Sequence, residues 1–321
     1  MHKSDLLSDM FTSLRVESTG VALMRLSAPW GMRVEKNPTP SLVAILEGSC
    51  VLTLNAGGTY ELNTGDVILL SSQSDGSLAS SRDAPCEPFG KIWAQSGLPA
   101  WQRDATLKAP LQLNYGGGGE ETLALSLLFS FQESLDQILL KCLPDIILLR
   151  KDDYQKLPWL EPTLNFIRDE ATTEKPGYIA VATRLAELLF VHVLRSSVLL
   201  NPSEGSGWLS AASDSRISKA ISAIHTTPGK QWSVETMAEV ASMSRSAFAA
   251  RFQTLLGQSP LKYLTRWRMY LAATRLTQGK YSLTKLAEDL GYSSSHAFSH
   301  AFKRELGLAP DDYRRKHTQQ E

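Results

Sequence analysis

Ser295, His296, Ser299, His300 and Lys303 recur at the intervals that set side chains on one face of a helix. Together they supply donors, acceptors and a cation, a set able to read base edges and hold a phosphate. Fifty residues earlier Arg245, Ser246, Ala249, Ala250 and Gln253 have the same spacing. On that face the two alanines provide apolar contact alone, for example to a thymine methyl. The cations Arg251, Arg266, Arg268, Lys303 and Arg304 accompany these faces, with roles in phosphate contact or helix packing.

A duplicated segment positions both faces, running from Trp232 to Tyr263 and again from Tyr281 to Tyr313. Ser233, Val234, Met237, Ala238, Glu239 and Met243 match Ser282, Leu283, Leu286, Ala287, Glu288 and Tyr292, 49 positions later. Ser244, Ala247, Phe248, Phe252, Gly257, Pro260 and Tyr263 match Ser294, Ala297, Phe298, Phe302, Gly307, Pro310 and Tyr313 at an offset of 50. The change of offset predicts a turn there, one residue longer in the second copy. Each copy reads as helix, tight turn and helix, over about 233–256 and about 282–306. Ser233, Ser244 and Ser282 stand as helix caps, and Ser242-Met243 and Gly291 mark the turns. Between the copies, Leu261–Gln278 reads as one helix of roughly 27 Å. It can hold two reading helices about one duplex turn (~34 Å) apart, so one chain is expected to read two successive major grooves of double-stranded DNA.

Charge agrees with a polyanion partner. The chain has 33 Lys and Arg against 33 Asp and Glu, yet residues 213–321 carry sixteen basic and nine acidic side chains. That region is therefore +7 and the remainder −7. Cys50, Cys86 and Cys142 form no Cys-x-x-Cys, and such sparse usage fits a reducing cytoplasm. Asp5, Asp9 and Arg15 interrupt any apolar leader near the N-terminus. Arg184, Glu187, His192 and Arg195 interrupt the apolar stretch Ile179–Leu200, so no membrane association is expected.

The N-terminal part reads differently. Ser4–Leu14 reads as a short amphipathic helix. Leu42–Leu46 is an apolar run, Cys50, Leu52 and Leu54 alternate with Val51, Thr53 and Asn55, and Val67–Leu70 follows a Gly-Asp turn. Leu123–Phe131 is a last strand after the Gly116–Gly119 loop. Short strands between Gly and Asp turns predict a small sandwich or barrel. From Ser134 the pattern is helical, and Leu185, Leu188, Leu189, His192 and Val193 make an apolar stripe suited to packing or to dimerisation. The expected class is α+β: an N-terminal β-barrel over 1–132, a helical extension over 133–200 as the candidate dimer element, a linker over 201–212, and an all-α domain over 213–317 with two helix-turn-helix motifs joined by a linker helix.

With these residues in view, about Asp214 to His317 resembles the DNA-binding domain of the AraC/XylS family of bacterial transcription regulators. The resemblance is carried by Met243–Phe248, Arg251-Phe252, Tyr263–Met269, Leu286-Ala287, Gly291-Tyr292, Ala301–Arg304 and Tyr313–Arg315. The N-terminal part resembles that family's cupin-like sensor domain through Ser27–Gly31, Leu46–Gly48, Gly65–Leu70 and Arg184–Phe190. The resemblance implies a cytoplasmic, homodimeric activator or repressor that answers a small-molecule effector and works with RNA polymerase.

Three departures matter. Ala249 and Ala250 stand where many relatives carry Arg or Gln, and His300 stands where Arg is common. Ser71–Ser77 replaces the turn where metal-binding cupins carry histidine, and no histidine occurs between His2 and His192. No metal, cofactor or enzymatic activity is therefore expected. The alternatives are a cupin-type metal-dependent enzyme using Glu47, Glu61 and Asp66, or a thiol-based redox regulator in which Cys86 is the exposed candidate and Cys50 and Cys142 are core thiols.

Overall fold

A computed structural model describes residues 16–36, 40–98, 111–131, 140, 143–155, 157–173, 175–200, 208–278 and 281–318. The expected helix Ser4–Leu14, residues 201–207 of the expected linker, and Cys142 lie outside the described residues. Two compact units result, one within 16–131 and 143–200 and the other within 208–318.

The first unit opposes two sheets. Its strands are β1 (Val16–Ser27), β2 (Gly31–Val34), β3 (Ser41–Glu47), β4 (Ser49–Leu54), β5 (Thr59–Asn63), β6 (Val67–Leu70), β7 (Gly76–Ala79), β8 (Glu87–Pro88), β9 (Leu111–Gly116), β10 (Glu121–Phe131) and β11 (Ile146–Leu149). One sheet has the order β11-β6-β3-β10-β1-β9 and the other β5-β4-β7-β2-β8. Helix α1 (Phe89–Gln95) follows β8, and α2 (Leu160–Thr173) and α3 (Tyr178–Leu200) follow β11.

Burial explains the two kinds of strand. Strand β4 alternates, with Cys50, Leu52 and Leu54 inside and Val51 and Thr53 partly exposed, because only one face of its sheet meets the core. Strand β10 is apolar on both faces. Ala124 joins Met24, Val43, Ile45 and Leu52 between the sheets, while Phe129 packs on Phe190 of α3 at 4.8 Å. The expected helical extension therefore contributes a strand as well as helices. The run Ile146–Leu149 pairs antiparallel with Val67–Leu70 and extends the six-stranded sheet.

The second unit is helical: α4 (Trp208–Ser213), α5 (Ile217–Thr226), α6 (Val234–Val240), α7 (Arg245–Leu256), α8 (Pro260–Gln278), α9 (Leu283–Asp289), α10 (Ser295–Leu306) and α11 (Pro310–Thr318). Helix α4 occupies the end of the stretch expected to be linker. Tyr263 of α8 meets Phe252 of α7 at 5.6 Å, and Trp267 of α8 stacks on His225 of α5 at 3.6 Å. Further along α8, Met269, Ala272, Ala273 and Leu276 join Leu286, Ala287, Leu290, Phe298 and Phe302 in a second cluster. Each buried phenylalanine contributes about 1.5–3 kcal/mol. No helix of the described residues is long and apolar enough to cross a membrane.

Candidate nucleic-acid interface and barrel cavity

The duplication extends to the hydrogen bonds of the caps and turns. The Ser233 hydroxyl accepts the Thr236 N–H at 3.2 Å, and the Ser282 hydroxyl accepts the Lys285 N–H at 3.2 Å. In the first turn the Met243 N–H donates to the Ala238 carbonyl at 2.9 Å, matched by Tyr292 to Ala287 at 2.9 Å. Ser242 and Gly291 both hold left-handed backbone there, with φ of 53° and 77°. Ser244 and Ser294 then cap α7 and α10 by accepting the N–H of Ala247 and Ala297. Gly257 and Gly307 end those helices with φ of 66° and 78°.

Capping at one end and buried Phe248, Phe252, Phe298 and Phe302 on one side leave the opposite faces of α7 and α10 to solvent. Arg245, Ser246 and Ala250 are exposed and Ala249 is partly buried. Arg245 reaches Glu235 at 2.7 Å, with both side chains at least half exposed. Such a pair is weakly held and exchanges readily for another anion. On α10, His296, His300, Lys303 and Arg304 are exposed, and Ser295 and Ser299 are partly buried. Among the described residues the side chains of His296, His300 and Lys303 have no hydrogen-bond or ion-pair partner, while Arg304 lies 3.3 Å from Glu305.

The remaining cations are placed elsewhere. Arg251 is bonded to Asp214, which also accepts the N–H groups of Arg216 and Ile217 at 2.9 Å and so starts α5. Burial pushes the Asp214 carboxyl up, but these N–H bonds and Arg251 outweigh it and hold the group below the usual carboxylate range. Arg266 donates to Gln258 at 2.9 Å and lies 3.7 Å from Glu305. Arg268 donates to the carbonyls of Pro228 and Lys230, each at 2.9 Å. Of the two roles open to Arg251, Arg266 and Arg268, these bonds accord with packing. Arg251 remains more than half exposed, so part of its guanidinium still faces solvent.

The barrel encloses a cavity of about 260 Å³. Its walls are Met24, Met32, Leu52, Ile68, Leu78 and Leu128, and Arg33, Glu35 and Lys36 stand at its edge. Ser126, 7% exposed, is the buried polar residue in the lining, and its hydroxyl has no partner among the described residues. Sequence reading missed this cavity because its lining comes from strands far apart in the chain.

Among the described residues the metal alternative has no assembled centre. Asp66 is buried and accepts Arg150 at 2.7 Å and the N–H groups of Asn63 and Lys151 at 3.0 Å. No cluster of three His, Cys, Asp or Glu side chains suited to a metal occurs among the described residues. Burial, then the Asp66 charge, pushes the Cys50 thiol up to about 12, which keeps it an unreactive thiol. Cys86 is partly exposed, with Sγ 3.5 Å from the Ala84 carbonyl oxygen.

Comparison with known proteins is consistent across the chain. Residues 5–198 match a family model described as cupin, and residues 237–316 match one described as a helix-turn-helix domain. A protein of Streptomyces lividans described as an AraC-like transcription regulator is 32% identical, covering 98% of this chain and 99% of its own. The HTH-type transcriptional regulator AlkR of Acinetobacter baylyi is 28% identical, covering 97% and 99%. Among solved structures, the DNA-binding domain of AdpA in complex with a target DNA is 34% identical over 32% of this chain and 91% of that one, with a TM-score of 0.30.

Proposed function

The chain belongs to the AraC family of transcription regulators, and on that premise we propose how its DNA-binding work is divided between two unequal reading heads. Helices α7 and α10 enter two successive major grooves on one face of the duplex. Helix α8, nineteen residues long, spans about 28 Å, close to one duplex turn of ~34 Å. Arg245 and Ser246 read by hydrogen bonds in the first groove, where Ala249 and Ala250 add apolar contact. Ser295, His296, Ser299 and His300 read the second, and Lys303 and Arg304 hold phosphates.

The observation that carries this reading is the unpartnered state of His296, His300 and Lys303 on a helix face that capping and aromatic anchors hold rigid. The apolar barrel cavity supports a small-molecule effector whose binding shifts the population able to hold DNA. The protein acts in the cytoplasm as a homodimer, alongside RNA polymerase, and performs no reaction of its own.

The test is to recover bound duplexes from a random pool with the full chain. The pool should yield a defined site, and His296→Ala with His300→Ala should relax preference at the second half-site only. Equal affinity of the unaltered protein for the recovered site and for random duplex would refute the reading.

A further inference from the structure

Helix α8 is one tie between the two reading heads, and a second tie lies off that helix. The loop from Thr227 to Gln231 belongs to the first head. The Thr227 hydroxyl and N–H both bond the Ala223 carbonyl, and the Trp232 indole N–H donates to the Thr227 carbonyl at 2.9 Å. This loop lies against the turn that leads into α10. A Cβ on Gly229 would stand 2.3 Å from the Asp289 carbonyl oxygen, and a Cβ on Gly291 would stand 2.5 Å from the Gly229 carbonyl oxygen. The two backbones therefore touch with no room for a side chain. Gln231 donates to the Gly291 carbonyl at 3.2 Å.

Arg268 closes this junction. Its guanidinium donates to the carbonyls of Pro228 and Lys230 on the loop and lies 5.6 Å from the Tyr292 ring centroid on the turn. A planar fork with fixed donors holds two carbonyls in one orientation, which a single ammonium cannot do. We propose that Arg268 is a positioning residue for DNA recognition, locking the first head's loop to the second head's turn and so setting the spacing at which the two half-sites are read.

This rests on the two-groove reading above. With α8 alone, the heads would share one flexible axis, and bending about it would let α10 meet half-sites at neighbouring spacings. The lock removes that freedom while touching no base.

The experiment is selection from random duplexes with the full chain, comparing unaltered protein with Arg268→Ala, Arg268→Lys and Gly229→Ala. The unaltered protein should recover paired half-sites at one spacing. Arg268→Ala should recover the same half-site sequences over several spacings. Its preference against a one-base-pair insertion should fall roughly tenfold, equivalent to about 1.4 kcal/mol. Arg268→Lys should fall between the two. Gly229→Ala, which wedges the loop from the turn without altering either aromatic core, should also broaden or shift the spacing. It decides the matter if Arg268→Ala does not fold. A merely stabilising role for Arg268 would lower the folded fraction and leave the spacing sharp. Sharp spacing in folded Arg268→Ala, or in Gly229→Ala where that variant decides, overturns the proposal while leaving the two-groove reading intact. Absence of paired half-sites from the unaltered pool overturns both.

Discussion

The two turns invite a reciprocal exchange, Ser242→Gly and Gly291→Ser, and the structure requires opposite outcomes. Both positions hold left-handed backbone, at φ of 53° and 77°. An L-residue there costs about 1–2 kcal/mol, whereas glycine loses about 0.5–1 kcal/mol more chain entropy on folding. Ser242 is exposed, so glycine at that position should yield a net gain of up to roughly 1.5 kcal/mol. Serine at 291 meets the same backbone penalty and a steric one. Its Cβ would lie 2.5 Å from the Gly229 carbonyl oxygen and 2.8 Å from Arg268 Nη2. Overpacking adds about 1–3 kcal/mol and the loss of glycine's entropy cost returns about 0.5–1 kcal/mol, for a net loss of roughly 1–4.5 kcal/mol. For a domain near 100 residues, about 1 kcal/mol moves Tm by about 4–8 °C. Calorimetry of the full chain should thus show a small rise for Ser242→Gly and a fall of roughly 4 °C or more for Gly291→Ser. Hydrogen exchange at Met243 and Tyr292 would locate each change. Two shifts of the same sign, or a Gly291→Ser variant within about 0.5 kcal/mol of the original, would refute the reasoning.

Further outcomes are set by individual side chains. Burial pushes His225 down to about 3, and in the unfolded chain it titrates near 6.5, so the unfolded state binds the extra proton as pH falls. Its contribution to stability should be intact above about pH 6.5 and decline by up to about 1.4 kcal/mol per pH unit between there and about pH 3; His225→Phe should flatten that dependence in urea titrations. Lys303→Ala should weaken binding to all duplexes alike and reduce the salt slope by about 0.9, whereas Arg251→Ala should lower Tm and leave the slope unchanged. In the native chain an alkylating reagent should label Cys86 well before Cys50, as peptide mass spectrometry would show; equal rates would contradict the burial of Cys50.

The reading heads were legible because their signals are local. Ser233, Ser244 and Ser282 each cap within three residues, and the 49-to-50 change of offset falls beside the left-handed turn residues. The alternation of β4 was legible for the same reason. Strand β11 was not, because four consecutive apolar residues carry neither a helical nor a strand period, and their partner Val67–Leu70 lies far back in the chain. The roles of Arg251 and Arg268 were hidden likewise. Their partners Asp214, Pro228 and Lys230 lie 37–40 residues away, and composition registers only a positive charge. Ser126 lies in the cavity lining, a placement its own strand does not disclose.

Helix α8 gives Tyr263 and Trp267 to one aromatic core and Met269, Ala272, Ala273 and Leu276 to the other. Neither head is therefore a portable cassette. A chain ending after α8 would expose the second set of apolar side chains, and one starting after it would leave Leu286, Phe298 and Phe302 without a floor. A graft between regulators that exchanges one reading specificity must carry the whole of α8 with it or rebuild one of its faces. The smallest part of this protein that can be moved intact is the pair.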